Sequence, residues 1–232
     1  MKNSVLQRRV RALANPKQAL AARRFFKTGK GEYSEGDQFL GLSVPQLRAL
    51  ARAQGDLPVT EVLKLLRSIW HEERLLALII MVEQFQRGTP AKRTALHKTF
   101  LRQLRYVNNW DLVDCSAPIL MQQPAPALRR ALLVSLALSG NLWRRRVAIL
   151  ATFADIRAGR FALTLRMARL LRDDSHDLIH KAVGWMLREV GKRDRKVLEG
   201  FLSQHAAQMP RTMLRYAIER LPPRVRHGWL AQ

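Results

Sequence analysis

The chain has 232 residues, of which 41 are Lys or Arg and 18 are Asp or Glu, so its formal net charge is +23. An excess of this size is too large for an ordinary solvated surface and predicts a polyanionic partner, with nucleic acid as the leading class. Hydrophobic residues make up 47% of the chain, which excludes an intrinsically disordered protein and supports a continuous core.

The sequence carries no signal for membrane insertion or secretion. The longest apolar run, Leu75 to Val82, is much shorter than the ~20 residues that a membrane-spanning helix needs, and residues 1–17 lack the apolar centre of a signal peptide. We therefore expect a soluble, cytoplasmic protein with no membrane partner. The single cysteine, Cys115, excludes an internal disulfide and a cysteine cluster for zinc, and we expect a buried thiol.

Apolar residues recur at three- and four-residue spacing along almost the whole chain, which predicts an all-α fold. Helix starts are marked at Asn15-Pro16, Ser43-Val44-Pro45 and Thr89-Pro90, where a capping residue precedes a proline in the first turn. Residues 28–41 contain four glycines and predict a structural loop rather than a loop that grips a phosphate. The predicted helices are 3–14, 16–27, 43–54, 59–68, 70–87, 90–105, 109–121, 125–138, 142–156, 160–172, 176–190, 194–205 and 209–220.

Four tryptophans indicate a repeat. Trp70, Trp110, Trp143 and Trp185 follow one another at intervals of 33 to 42 residues, each near the start of a predicted helix. This spacing approximates the ~40-residue period of HEAT-type repeats. We predict one domain over residues 1–232, built as a curved α-α superhelix of HEAT-like repeats with a concave basic groove.

Helical spacing also groups the candidate functional residues. Trp110 and Asp114 are four residues apart and share one helix face, as do Lys181, Trp185 and Arg188. A tryptophan at helical spacing can equally be a core residue, and composition alone does not choose between these interpretations. His176 and His180 are also four apart, but no third ligand accompanies them, so we predict no metal and no cofactor.

The order and spacing of several fragments resemble the AlkD-like family of DNA alkylation repair proteins over nearly the whole chain. The fragments are Phe25-Phe26-Lys27-Thr28-Gly29, Gly36-Asp37, Phe39-Leu40-Gly41, Glu72-Glu73-Arg74-Leu75, Trp110-Asp111, Val113-Asp114, Trp143 with Arg146, Lys181-Ala182-Val183-Gly184-Trp185 and Leu187-Arg188-Glu189.

This resemblance implies a HEAT-like-repeat DNA glycosylase that removes alkylated purines. The family's catalytic cleft is lined by residues that match Trp110, Asp114, Arg146 and Trp185, and Phe25 stands where some members have Tyr. Asp114, Trp110 and Trp185 are the catalytic candidates. The candidates for DNA binding are Arg146, Arg145, Lys181, Arg188, Trp143 and Phe25.

We therefore predict a monomeric, monofunctional glycosylase that acts on double-stranded DNA containing N3- or N7-alkylated purines. A carboxylate at Asp114 would stabilise the positive charge that develops on the sugar, or position the attacking water. Two alternatives stay open at this point. One is a non-catalytic HEAT-like scaffold for nucleic acid, and the other is a helical array that binds an acidic protein.

Overall fold

A computed structural model describes residues 4–123 and 125–231. Contacts between Cα atoms divide the chain into two compact units, Met1–Leu120 and Met121–Gln232. The single domain predicted over residues 1–232 and the concave basic groove stay predictions.

The first unit is built around one central helix. Its helices are α1 Val5–Ala12, α2 Pro16–Phe25, α3 Val44–Arg52, α4 Val59–Leu66, α5 His71–Arg87, α6 Pro90–Arg102 and α7 Trp110–Leu120. Helix α5 packs against α3, α4, α6 and α7, and every residue from 71 to 81 is buried. A helix that is covered on all sides has no need of an amphipathic pattern, so α5 can place polar residues inside the unit wherever partners are available.

The second unit also has a central helix. Its helices are α8 Pro126–Ala137, α9 Leu142–Leu150, α10 Phe153–Arg157, α11 Ala162–Leu170, α12 Asp177–Gly191, α13 Arg195–His205, α14 Arg211–Ile218 and α15 Pro223–Leu230. Helix α12 packs against α9, α11, α13 and α14. Close packing against α14 depends on Gly184, because a Cβ at this position would lie 2.5 Å from the carbonyl oxygen of Met213 and 2.5 Å from Cβ of Tyr216.

The all-α fold class is confirmed, since the only extended pairing within residues 4–123 and 125–231 is an isolated bridge between Gln38 and Trp70. The predicted caps are present at Asn15, whose side chain accepts from the Gln18 N–H, and at Thr89, whose side chain accepts from the Lys92 N–H. None of the helices in the described part of the chain combines the length and the apolar character needed to span a membrane.

Two helix predictions were wrong in detail. The helix predicted over 142–156 is interrupted between α9 and α10, where the Arg129 guanidinium binds the Ala151 carbonyl and the Thr152 hydroxyl binds the Ile149 carbonyl. Helix α15 was not predicted, because it has no buried residue to produce an apolar pattern; Pro222 is its cap and Pro223 its first residue. Side-chain bonds to backbone carbonyls and weakly buried helices leave little trace in hydrophobic periodicity.

Gly184→Ala is expected to destabilise the second unit by about 2 kcal/mol, since the added methyl group would overlap the backbone of α14 in a well-packed interior. Urea denaturation would measure the change. Gly200→Ala is the matched control, because Gly200 also lies inside a helix but a Cβ there meets no atom within 4 Å. The control should be neutral or slightly stabilising, as Ala has the higher helix propensity. Equal effects at the two positions would contradict the packing role of Gly184.

Candidate active site and nucleic-acid interface

The buried start of α5 organises the first unit. Four consecutive charged or titratable residues, His71 to Arg74, are all buried there. The Glu72 carboxylate accepts hydrogen bonds from the backbone N–H groups of Leu40, Gly41 and Leu42, at 2.8, 2.7 and 3.3 Å. A carboxylate that satisfies three backbone donors replaces the water that those donors would otherwise need, so it holds the end of the glycine-rich loop in place.

The next two residues of α5 hold two other segments. Glu73 accepts from the Arg11 guanidinium at 2.6 Å and thereby ties α1 to the core. Arg74 donates to Asp37 at 2.6 Å, so its charge is paired inside the unit. Buried charges are tolerated when they are paired and hydrogen bonded, and removal of one partner is costly. The loop over residues 28–41 is therefore anchored at its second half, as predicted for a structural loop.

His71 links this loop to α7. Its Nδ1 lies 3.3 Å from Oδ2 of Asp37, and its Nε2 lies 2.7 Å from Oδ2 of Asp111. Burial alone would lower the pKa of His71, but the hydrogen bonds and charges of Asp111 and Asp37 outweigh burial and raise the pKa to about 9. Burial would raise the pKa of Asp37, yet its bonds with His71 and Arg74 hold that pKa below its usual value of 3.8. The imidazolium between two carboxylates is thus the stable form at neutral pH.

Asn109 completes the start of α7. Its side-chain NH₂ donates to Ser34 and to Asp37, and its Oδ1 accepts from the Trp110 backbone N–H at 2.8 Å. Asn109 is fully buried. The first turn of α7 is consequently fixed by side chains from the loop and from α5, and the side chains that project from this turn have a defined position.

An aromatic cluster supports Trp110. Phe26 stacks on Trp110 with ring centroids 5.2 Å apart, and the rings of Phe39 and His71 continue the cluster behind Phe26. Phe25 meets Trp110 edge-on at 5.8 Å and is 66% exposed. The structure therefore brings Phe25 and Trp110 together through a ring contact that needs no hydroxyl, with one of the two rings open to solvent.

Asp114 lies on α7 one turn after Trp110, and both side chains are partly exposed. In an α-helix, residues four apart lie above one another on one face. An indole and a carboxylate thus share one partly exposed face of α7. Cys115 follows them and is partly buried, where burial raises the pKa of its thiol and keeps it protonated. Its Sγ donates to the Leu112 carbonyl.

In the second unit, the predicted DNA-binding residues of α9 are mostly buried. Trp143 is 8% exposed and Arg146 is 5% exposed. The Arg146 guanidinium donates to the Leu178 carbonyl at 2.6 Å, which ties α9 to the first turn of α12. Arg145 pairs with Asp174 at 2.6 Å, and both of these side chains are largely covered. Trp143 and Arg146 therefore pack within the unit, in addition to any role at its surface.

The candidates on α12 are more accessible. The Trp185 ring is partly exposed and lies 6.0 Å from the Phe153 ring. Lys181 pairs with Asp177 at 2.7 Å, with both side chains about half exposed, and Arg188 pairs with Glu219. An exposed pair such as Lys181–Asp177 contributes only about 0.2–1 kcal/mol, so a phosphate can replace its carboxylate at little cost, whereas the Arg188 side chain is only 19% exposed.

The comparisons with known proteins identify the family. A sequence model described as DNA alkylation repair enzyme matches residues 6–221 of the chain. The chain belongs to the DNA alkylation repair enzyme family. Among the solved structures that match is a predicted DNA alkylation repair enzyme from Enterococcus faecalis, with a TM-score of 0.68 and 18% sequence identity over 90% of this chain and 97% of that one. At this identity the likeness shows a shared fold. No curated protein matches significantly.

The family resemblance predicted from the fragments is therefore confirmed, and the structure explains several of the fragments by packing. Asp37, Glu72 and Arg74 belong to the buried network under α7, and Gly184 permits the approach of α14. His71 was missed entirely. Its signal in the sequence was weak, because a lone histidine at the start of an apolar helix has no distinctive spacing.

The described residues form no cluster typical of a metal site: among them, no three His, Cys, Asp or Glu side chains converge. His176 caps α12 by accepting from the Leu178 N–H, and the His180 ring contacts the Asp174 carbonyl. These two histidines thus have structural partners at the start of α12 and in the turn before it.

Proposed function

We propose that this member of the DNA alkylation repair enzyme family is a monofunctional DNA glycosylase that removes N3- and N7-alkylated purines from duplex DNA. The observation that carries the proposal is that Asp114 and Trp110 share one partly exposed face of α7, on a helix whose first turn is fixed by a buried network. A carboxylate and an indole held in this way suit a reaction that develops positive charge on a sugar.

The lesion itself supplies part of the chemistry. A purine alkylated at N3 or N7 is cationic, so it leaves C1′ with the electrons of the glycosidic bond as a neutral base and needs no proton from the protein. Water then forms the new C1′–O bond and releases a proton to solvent. Positive charge builds on the deoxyribose as the first bond breaks, and a nearby carboxylate stabilises that charge electrostatically. Asp114 is the group that we assign to this role, or to positioning the water.

Trp110 would act on the same charge. The face of an indole attracts a cation by about 0.5–2 kcal/mol, and the attraction grows as the cation forms. Phe26 stacks on one face of the Trp110 indole and holds it in place, so we assign such a contact to the opposite face. In the second unit, we propose Trp185, whose ring is partly exposed, as a further catalytic residue.

The cations would bind phosphates and set the register of the protein on DNA without reading sequence. Lys181 is the candidate whose exposed pair is easiest to exchange for a phosphate, and Arg188, paired with Glu219, is a second candidate on the same helix. Asp174 holds Arg145, and the Leu178 carbonyl holds Arg146. A phosphate would be bound by guanidinium N–H groups other than those in these two contacts. Trp143 and Phe25 complete the proposed DNA-binding set.

Incubation with methylated duplex DNA tests the proposal. We expect free 7-methylguanine and 3-methyladenine to be released faster than from the same DNA with heat-inactivated protein, as measured by chromatography of the released bases. Untreated duplex should release no base. Binding to duplex DNA with no release above the spontaneous rate would instead support a non-catalytic scaffold. Failure to bind DNA at all would favour an acidic protein partner.

A further inference from the structure

The second unit contains a large cavity that is lined by none of this unit's residues assigned above to catalysis or DNA binding. Its volume is about 1160 Å³, and it is lined by the first turn of α8, by α10 and by α11. The assigned residues lie on other helices, namely α12 for Lys181, Trp185 and Arg188 and α9 for Arg146. None of these four residues lines the cavity. A ligand in this cavity would therefore use a set of side chains that the proposed chemistry leaves unused.

The cavity is strongly basic. Arg130, Arg160, Arg166 and Arg169 line it and are all exposed, whereas Asp155 is the only acid among the lining residues. The Asp155 carboxylate is already bound by Arg129 at 2.6 Å and by Arg160 at 3.0 Å. Among the residues that the structure describes, Arg130, Arg166 and Arg169 have no acidic partner. The positive charge of the lining therefore favours an anionic ligand in this cavity.

Backbone groups add to this charge. Helices α8 and α11 both begin at the cavity, neither has a side-chain cap, and neither carries an acid in its first turn. The N–H groups of a first helical turn have no partner within the helix and carry partial positive charge. Two such turns beside unpaired arginines provide hydrogen-bond donors that fit phosphate oxygens.

The extent of the cavity indicates more than one phosphate. Arg160 precedes α11 and Arg169 lies in its last turn, so the charges follow the whole helix of nine residues, about 14 Å at 1.5 Å per residue. Phe161, at the start of α11, adds a partly exposed aromatic ring to the lining. Rings between cations are typical of sites where unpaired bases stack while arginines follow the backbone.

We propose that this cavity binds single-stranded nucleic acid, with phosphates on Arg130, Arg166 and Arg169 and a base against Phe161. A free phosphate would engage only a fraction of these arginines, and an acidic peptide would leave the aromatic ring without a partner. A paired duplex offers no free base face to Phe161. The site goes beyond the glycosylase activity and does not depend on it.

Arg130→Gln/Arg166→Gln tests the site in the full-length protein, with binding of a labelled dT12 strand followed by fluorescence anisotropy. We expect the affinity to fall at least about 10-fold, and the slope of log Kobs against log salt to fall by about 1.4, because about 0.7 is lost per phosphate contact of a single strand. Arg52→Gln/Arg224→Gln is the control: it removes the same charge at exposed arginines outside the cavity. Equal losses in the two double variants would overturn the proposal.

Crosslinking gives a second measurement, in which the wild-type protein itself reports where the strand lies. A strand carrying 5-iododeoxyuridine should crosslink on irradiation to the tryptic peptide of residues 161–166, and Phe161→Ala should abolish the crosslink. Displacement of dT12 by polyglutamate of the same charge, with no effect of Phe161→Ala, would identify an acidic peptide site and overturn the assignment. Excision of methylpurines should be unchanged in Arg130→Gln/Arg166→Gln, so a loss of strand binding and a loss of glycosylase activity are separately visible.

Discussion

Asp114→Asn is expected to lower the single-turnover rate of 7-methylguanine excision on the order of 10²–10³-fold, the range seen when one electrostatic group is removed from a transition state. The amide keeps the size and the hydrogen-bonding atoms of the side chain but loses the negative charge. Stabilisation of the developing sugar cation is lost, whereas the ground-state complex with DNA depends mainly on phosphate contacts. Affinity for methylated duplex should therefore change by no more than about two-fold.

Asp56→Asn is the matched control for this experiment. Asp56 is an acid of the same unit, its side chain is 81% exposed, and its partner is Lys92 at the surface. The same chemical change at Asp56 should leave excision unaffected. An Asp114→Asn protein that excises methylpurines at the wild-type rate would remove Asp114 from the reaction, and a loss of DNA binding together with activity would point to a folding defect instead.

The helices could largely be predicted from the sequence because most of their signals are local. Apolar spacing, the caps at Asn15 and Thr89, and prolines in first turns depend on neighbours within one or two turns of the chain. Where the prediction was wrong, the cause was tertiary. The break after α9 coincides with the Arg129 guanidinium at the Ala151 carbonyl, and these residues are 22 positions apart.

The candidate site divides in the same way. The shared face of Trp110 and Asp114 follows from a spacing of four residues and needs no tertiary information. The support beneath it could not be predicted, because His71 binds Asp37 and Asp111, which are 34 and 40 positions away. No periodic pattern connects residues at such separations. Only the fold shows that Asp111, through its bond to His71, helps to fix the first turn of α7 and with it the position of Trp110.

The pairing of the cations was equally hidden. Spacing in the sequence could not identify the partners of Arg145 and Arg188, because Asp174 and Glu219 lie 29 and 31 positions away. Lys181 is the exception, since its partner Asp177 is one helical turn earlier and could have been found by spacing. Pairing thus reduces the charge that Lys181 and Arg188 on α12 can offer to DNA, whereas Arg130 and Arg166 have no acidic partner among the described residues.

The His71 pairing is expected to contribute about 3 kcal/mol to the free energy of unfolding below pH 6.5, and to lose roughly half of that contribution by pH 8. The folded pKa of about 9 lies above the unfolded value of 6.5, so the folded protein holds the proton more tightly. The contribution is complete below pH 6.5 and disappears as the pH rises through 9. The groups that face the imidazole are Asp37, Asp111 and Arg74.

Urea denaturation at several pH values between 6.5 and 8 measures this loss. The upper limit of pH 8 lies below the pKa of about 8.5 that the Cys115 thiol has in the unfolded chain. His71→Gln should be less stable at pH 6.5 and should lack the component of the pH dependence that the imidazole contributes. Because that variant removes a buried partner of two carboxylates, NMR titration of the wild-type imidazole provides an independent reading. An imidazole that titrates near pH 6.5 in the folded protein would show that the carboxylates do not hold its proton. The first turn of α7, and with it Trp110, would then lack the ion pair that fixes its position.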